Sequence, residues 1–486
     1  MTHEAGDRPG RPARLIHASL VVAFLIGVLA VQVAVFHGTP HLPLVLGTAA
    51  ACLVGSRLGW SWRSLEAGIL RGIEHALQAC LILLVVGCLI GTWIESGVVP
   101  TLIAYGLQVV SPGLFPFTAC VLCSIVSLAT GSSWSTAGTV GIALIGIGQG
   151  LGVPLPLVAG AIVSGAYLGD KMSPLSDTTN LAPAVAGTDL FTHVRHMTYT
   201  TGPSFALALI VYLALGLQYG HAEPDLASIE AIRSALESRF VIHPVLLIPP
   251  VLVIAMVAFR WPALPALLGG VVVGGAFGLV VQRDGVAEVL AAAYSGFRSN
   301  TGHPGVDALL SRGGMEGMFS TLALILCALA FGGVMERTGM LQAIARSVLR
   351  IAHSTGRLVL ATILTCLTMN VVAPDQYLSI VVPGRMYREA YRERGLHLKN
   401  LSRALEDAGT LSSPLVPWNT CGAFMAATLG VSPLAYLPFA FLNLFNPVVS
   451  VIYGFTGWTM HRPEGPPAEP AAPFSRDSRG EPESRG

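Results

Sequence analysis

Gly169-Asp170-Lys171-Met172-Ser173-Pro174-Leu175-Ser176-Asp177-Thr178-Thr179-Asn180 follows the apolar run Leu155–Leu168 without a break. Two carboxylates, an ammonium and four hydroxyls sit where the preceding residues call for a nonpolar surrounding. In lipid such groups are costly unless they face a cavity. Pro174 has no N–H and disrupts the helix, which frees carbonyl oxygens. Freed carbonyls, hydroxyls and a carboxylate are the hard oxygen ligands that a small alkali cation prefers. The plainer reading is a polar loop on the cytoplasmic side. A second copy of the pattern argues against it. Glu406, Asp407, Ser412, Ser413, Pro414, Pro417, Trp418, Asn419 and Thr420 interrupt another apolar segment in the same way.

The rest of the chain supplies the apolar setting. Its 486 residues are 53% hydrophobic and 11% charged, against roughly 25% charged in soluble proteins. The 28 Lys+Arg and 27 Asp+Glu are too few to solvate a surface of this size. A chain whose flanks are covered by lipid needs no such coat. Disorder and a disulfide-stapled secreted fold are excluded for the body, and a net charge of +1 argues against nucleic acid. The eight cysteines lie in apolar segments and read as reduced packing residues. The lone Cys120/Cys123 CxxC has no second pair and reads the same way. Apolar runs that approach the roughly 20 residues of a span are Leu15–Phe36, Leu42–Leu58, Ala76–Ile94, Thr198–Tyr219, His243–Phe259, Ala263–Val281, Glu316–Met335 and Pro433–Gly457. The first shows no clear cleavage site and reads as a retained helix rather than a signal peptide.

Charge sets the expected orientation. Arg8, Arg11 and Arg14 precede the first span; the connection around His37–His41 has no Lys or Arg; the next has Arg57, Arg63 and Arg71. The positive-inside rule then places the N-terminus in the cytoplasm, together with a disordered, Pro-rich C-terminal tail. From Val98 to Gly169 there is no Lys or Arg. Within that stretch, Phe115–Thr130 and Thr136–Gly150 flank the polar tip Gly131-Ser132-Ser133-Trp134-Ser135, with both ends expected outside. Leu358–Ala373 and Ser379–Pro383 flank Pro374-Asp375-Gln376 and are bounded by Arg357 and by Arg385, Arg388, Arg392 and Arg394, so both ends are expected inside. Each unit reads as a re-entrant hairpin, tolerated at membrane depth only where it is buried in protein or lines a cavity.

These units belong to a longer repeat. Trp93-Ile94-Glu95-Ser96-Gly97 recurs as Val334-Met335-Glu336-Arg337-Thr338-Gly339, and Ser173-Pro174-Leu175 recurs as Ser413-Pro414-Leu415. Glu336 follows Glu95 by 241 residues and Ser413 follows Ser173 by 240. Because the charge flanks are opposite, the copies are expected to be inverted, as in secondary transporters. The fold class is therefore all-α: a polytopic membrane protein of about 10–12 transmembrane helices with two inverted-topology repeats, each carrying a re-entrant hairpin and a broken helix. The expected division is a tail over 1–14, N-terminal spans over 15–61, the first repeat over 62–197, linking spans over 198–282, the second repeat over 283–460, and a tail over 461–486. Asp375, the only acid between Glu336 and Glu389, is a candidate cation or proton ligand at the second tip. Glu95 and Glu336 read more as interfacial helix ends. His193 and His196, beside Arg195, read as interfacial rather than pH-sensing.

Gly169-Asp-Lys-Met-Ser-Pro-Leu-Ser-Asp-Thr-Thr-Asn-Leu-Ala-Pro183 resembles the signature of the NhaC-type sodium/proton antiporter family. The stretches Gly131-Ser-Ser-Trp-Ser-Thr136 and Phe331-Gly-Gly-Val-Met-Glu336 are also similar to that family. The resemblance spans roughly Glu66 to Gly457. It implies a multi-pass secondary transporter of the bacterial inner membrane, whose relatives exchange Na⁺ for H⁺ or are linked to malate/lactate exchange or amino-acid uptake.

On this reading the chain is a sodium/proton antiporter working by alternating access. One buried carboxylate can hold a proton or Na⁺ but not both, so competition gives obligatory exchange. Asp170 and Asp177 are the leading carriers, with Asp375 and Asp407 as second-repeat partners. Ser173, Ser176, Thr178, Thr179 and Asn180, with Ser413 and Asn419, complete the ion and proton shell; the sodium ligands proper are Asp177, Thr178 and Asn180. Lys171, Ser132 and Ser133 are assigned to charge balance or substrate binding. The rival is a sodium- or proton-coupled organic-acid or amino-acid carrier in which Lys171 or a hairpin N-terminus holds the substrate carboxylate. No HExxH, GxSxG or P-loop is present, so neither an intramembrane enzyme nor ATP-driven transport is expected. No cofactor is expected beyond the transported Na⁺ and H⁺. The expected partners are the lipid bilayer, the cargo ions or a small organic anion, and a second copy in a homodimer; nucleic acid is not among them.

Overall fold

The computed structural model describes residues 10–36, 38–74, 76–109, 111–220, 226–259, 261–350 and 352–462. The tails expected over 1–14 and 461–486 lie outside the described residues except for 10–14 and 461–462. Every regular element among the described residues is helical.

Apolar sequence makes these helices, and its distribution around each helix decides what it touches. In Leu15–Ala34, Leu20, Phe24 and Ile26 are exposed while Ala18, Val21 and Leu25 are buried. Val272, Val280 and Phe259 are likewise exposed on other helices. An exposed apolar surface of this extent calls for a nonpolar covering, and lipid supplies it. Among the described residues, seven helices are long and apolar enough to cross a membrane, or nine if each of two sharply bent pairs is one span. Shorter apolar helices such as His41–Arg57 and Phe441–Thr456 are about a turn short of a hydrocarbon core some 30 Å thick, which is why the sequence runs suggested ten to twelve. The expected span Pro433–Gly457 is not continuous. It breaks at Ala440, just beyond Pro438, and its first part bends 89° from Thr420–Leu429.

Two halves of the chain repeat one order of elements. Leu77–Glu95 ends at Gly97 (φ +76°) and Phe319–Arg337 ends at Gly339 (φ +78°). In each half a short helix follows, Val98–Val109 or Met340–Leu349. Next comes a long apolar helix, Phe115–Thr130 or Thr355–Val372, leading to a polar tip. The chain leaves each tip through a side-chain cap that satisfies an orphan N–H of the next helix. Ser132 Oγ accepts from the Ser135 N–H (3.1 Å), and Asp375 Oδ1 accepts from the Leu378 N–H (2.9 Å). A further helix then runs to a Ser-Pro break: Leu155–Met172 stops at Ser173-Pro174, and Lys399–Leu405 passes through a π-helical turn, Glu406–Thr410, to Ser413-Pro414. After the breaks the helices restart as Asp177–Ala186 and Thr420–Leu429. The first arms of the hairpins are longer than the apolar runs alone indicated, for Pro112–Thr130 and Thr355–Val372 each reach the length of a span.

Close backbone packing brings tip and break together. Gly131 has φ +69°, and a Cβ there would stand 2.7 Å from Leu175 Cβ. Any side chain at Gly131 would push the first tip off the first break.

Candidate functional site

Both tips and both breaks meet at one cavity of about 390 Å³. Ser132 and Ser133 come from the first tip, Asp170, Asp177 and Thr178 from either side of the first break, Asp375 and Gln376 from the second tip, and Thr420 from beyond the second break. Gln78, Trp134, Trp261 and Tyr377 contribute the wall. Three carboxylates line this space, and no Lys, Arg or His does so among the described residues.

Asp170 is the inner acid. It is buried, and its carboxylate is held from two directions: Ser133 Oγ donates to Oδ2 and Ser176 Oγ to Oδ1, each at 2.8 Å. Its backbone carbonyl, freed where the helix ends, accepts from Thr179 Oγ1 at 2.8 Å and lies 3.4 Å from Thr178 Oγ1. Thr179 also donates to the Lys171 carbonyl at 2.9 Å. The break is therefore re-satisfied by hydroxyls of the helix that follows it, as a polar break inside a membrane must be. Asp177, by contrast, is exposed at the mouth, where the Tyr377 hydroxyl donates to Oδ2 at 3.4 Å.

The other expected site residues are placed as follows. Asn180 is exposed and spends its amide N–H groups on the Pro174 and Ser176 carbonyls (2.8 and 2.7 Å), away from the cavity wall. Of the three residues assigned to sodium, the structure thus brings Asp177 and Thr178 to the cavity. Ser173 Oγ donates to the Leu128 carbonyl at 2.9 Å and fastens the break to the first hairpin. Ser413 Oγ donates to the Thr410 carbonyl at 2.7 Å. Asn419 caps the restarted helix through Cys421 N–H (3.0 Å) and donates to Asn370 Oδ1 (3.0 Å). Asn370 in turn donates to the carbonyl of Gly409 in the π-helical turn (2.7 Å), which also accepts from Ser379 Oγ (3.2 Å).

Lys171 and Asp407 stand together, apart from the cavity. The Lys171 ammonium pairs with Asp407 Oδ1, and both side chains are completely buried. The same oxygen accepts from Thr200 Oγ1 (3.0 Å) and Asn446 Nδ2 (2.6 Å), while Arg403 Nε lies 3.9 Å from Oδ2. This pair joins the end of one broken helix to the middle of the other. Sequence reading did not single out Gln376, Tyr377, Trp134 or Gln78 as site residues. The tip position of Gln376 and Tyr377 was the available signal; nothing local marks Gln78. Arg403 was also missed, although its i, i+4 spacing to Asp407 is visible in the sequence.

All eight cysteines are free thiols, and no cluster of His, Cys, Asp or Glu able to hold a metal ion is found among the described residues.

Comparison with known proteins agrees with this architecture. Residues 12–166 and 165–458 match the profile of the Na⁺/H⁺ antiporter family. A malate-2H⁺/Na⁺-lactate antiporter of Bacillus subtilis is 42% identical over 417 residues, covering 86% of this chain and 89% of that one. The Na⁺/H⁺ antiporter NhaC of Alkalihalophilus pseudofirmus is 40% identical over 439 residues, 90% of this chain and 95% of its own. The arginine/ornithine antiporter ArcD of Halobacterium salinarum is 40% identical over 476 residues, 97% and 98% of the two chains. With a family profile matched along nearly its whole described length, and relatives of this identity and coverage, the chain belongs to the Na⁺/H⁺ antiporter family.

Proposed function

We propose that this protein exchanges Na⁺ for H⁺ across the bacterial inner membrane by alternating access, with both termini in the cytoplasm and Asp170 as the residue at which the two cations compete. The observation that carries this reading is the cavity's lining: three carboxylates, hydroxyls and amides, with no basic side chain among the described residues. Such a wall attracts cations and repels anions. Asp170 draws its partners from the first tip and from beyond the first break, so moving either segment changes its shell. A sodium ion there takes oxygen ligands from the carboxylate and neighbouring hydroxyls; a proton on the same carboxylate removes the charge that holds it. The repeated tips and breaks are the two sides of an inverted pair that opens the site alternately outward and inward.

The organic-anion reading draws support from the Bacillus malate/lactate relative and from a cavity large enough for a small organic molecule. Against it stands Lys171. Its ammonium, which would hold a substrate carboxylate, is buried on Asp407 outside the cavity.

The test is Na⁺ binding across a pH series at constant ionic strength, joined to Na⁺-driven pH change in proteoliposomes. Well below the site pKa, competition at Asp170 raises the apparent dissociation constant about tenfold for each unit of falling pH per proton displaced, since one displaced proton contributes about 1.4 kcal/mol per unit. Asp170→Asn abolishes both signals. An affinity independent of pH over about three units refutes the shared site.

A further inference from the structure

Glu406 takes no part in the cavity, and its side chain is completely buried. Neither carboxylate oxygen makes a hydrogen bond of normal geometry within the protein, the Thr410 hydroxyl one turn on being the donor that comes near to serving it. The neighbouring polar atoms are in the same condition: Thr410 Oγ1 one turn on, Asp407 Oδ2 beside it, and Asn446 Oδ1 and Ser450 Oγ on the helix Phe441–Thr456 that packs against this turn. Arg403 Nε and Asp407 Oδ2 face each other across 3.9 Å, each without a hydrogen bond. That gap is too long for a hydrogen bond and suits a bridging water. Buried polar groups are paired with protein or with ordered water, and an internal water is held by about three otherwise unsatisfied groups. A dry, ionised, unpartnered carboxylate is the costliest arrangement of all. The backbone adds a second sign: Glu406 opens a π-helical turn, a distortion that collects at functional sites.

We propose that Glu406, with the unpartnered polar atoms around it, forms a second, hydrated proton site, distinct from the Asp170 cavity and coupled to it through Lys171. The inference rests on the Na⁺/H⁺ reading for its coupling, though not for the existence of the site. The charged groups facing the turn are Arg403 from the preceding helix, Asp407 within the turn, and Lys171 and Asp170 from the end of Leu155–Met172. Other titratable groups nearby are Cys366, Tyr167, Tyr387 and Tyr391, all buried, His193 near Lys171 and Asp407, Tyr453 beside Arg403, and Asp177 and Tyr377 at the cavity; the same helices also carry Arg357, Arg385, Arg388, Glu389, Arg392, Glu393 and Lys399 toward their ends. Asp170 and Lys171 are consecutive, yet one carboxylate lines the cavity while the neighbouring ammonium reaches Asp407, beside Glu406. A sodium ion arriving at Asp170 adds positive charge at this helix end. That charge favours ionised Glu406, whose proton leaves through water bridging these polar groups; loss of sodium draws a proton back. No covalent bond forms or breaks beyond this O–H exchange.

The experiment measures Na⁺ binding to the purified full-length protein by equilibrium dialysis over a pH series. With two protons displaced, the wild-type dissociation constant falls up to about a hundredfold per rising pH unit where both groups are protonated. Glu406→Gln keeps size and Na⁺ binding and reduces this to about tenfold; Glu406→Asp restores the steeper slope; Asp170→Asn abolishes binding. A slope unchanged in E406Q overturns the proposal. Difference infrared spectroscopy without sodium gives an independent reading: a protonated-carboxyl band that titrates in the wild type and is missing in E406Q. Failure of the wild type to bind Na⁺ would overturn the cargo reading and with it the coupling, and the infrared band then decides the site alone. Should E406Q not fold, Thr410→Val removes the hydroxyl one turn from Glu406 and must shift the midpoint of that band; an unmoved midpoint counts against the site.

Discussion

Cutting the Lys171–Asp407 pair from either side should give unequal damage, and cutting it from both should give less than the sum. Removing one partner of a buried ion pair costs about 3–5 kcal/mol, because a charge is left uncompensated. Lys171→Met leaves Asp407 with Thr200 and Asn446 as donors and Arg403 at 3.9 Å, which places its cost near the lower figure. Asp407→Asn leaves an ammonium with no other hydrogen-bond partner among the described residues, which places its cost near the upper one. The double variant buries two neutral side chains, so the coupling should be about 1–3 kcal/mol, or roughly 5- to 140-fold in the unfolding equilibrium. Unfolding in mixed micelles of increasing sodium dodecyl sulfate fraction gives the three differences. The same preparations give Na⁺ affinity, which the double variant should keep within about tenfold, since neither residue lines the cavity. Additive costs would refute the pairing, and loss of Na⁺ binding in a stable double variant would return one of the two residues to the cation site.

Ser133→Ala and Ser176→Ala each remove one hydroxyl held at 2.8 Å from Asp170; a hydrogen bond to a charged group is worth about 1.5–3 kcal/mol, so Na⁺ affinity measured by dialysis at high pH should fall about tenfold or more, and an unchanged affinity would exclude these hydroxyls from the shell. Accessibility labelling should find cysteines placed near Gly113 and near Gly150 both outside, and those near Arg357 and near Arg392 both inside; opposite sides for either pair would refute that hairpin. Outside the spans, Asp307 accepts from the Thr301 N–H (2.6 Å), both Thr301 and Ser299 hydroxyls, and the Gly302 N–H. The Thr301 amide, first among these donors, holds its carboxyl below the ordinary carboxylate range. The loop's added stability is therefore complete above an unfolded value of about 3.9 and is lost as pH falls through the lower folded value. Hydrogen exchange at Thr301 and Gly302 should be slow at neutral pH and faster in Asp307→Asn; equal exchange in the variant would deny the clamp.

The parts of this architecture that were legible in the sequence are those where local composition breaks its own rule. Ser173-Pro174 and Ser413-Pro414 place polar groups and a helix breaker inside apolar runs, and the structure ends helices at both. Gly131 and Asp375 announce tips for the same reason: one tolerates a positive φ and the other caps the next helix. Less legible was which face a polar residue takes once the helix has formed. Asp170 and Asp177 are the same residue type, seven residues apart. The structure buries the first between Ser133 and Ser176 and leaves the second at the mouth. Asn180 looked like a third ligand, but its amide is engaged by the carbonyls of its own turn, a local competition that Asn commonly wins.

Least legible were pairings across the two halves, because no single segment contains them. Lys171 and Asp407 are 236 residues apart, and each read alone suggested a ligand: a lysine for a substrate carboxylate, an aspartate for sodium. Brought together they neutralise one another, away from the cavity lining. The pairing has a functional consequence. A free ammonium beside Asp170 would oppose a sodium ion at the cavity, whereas an ammonium neutralised by Asp407 permits one there. The same contact carries the effect of that sodium toward Glu406, beside Asp407. The acidic cavity lies next to a lysine whose counter-ion the second half supplies, so the cation site proposed there depends on both halves.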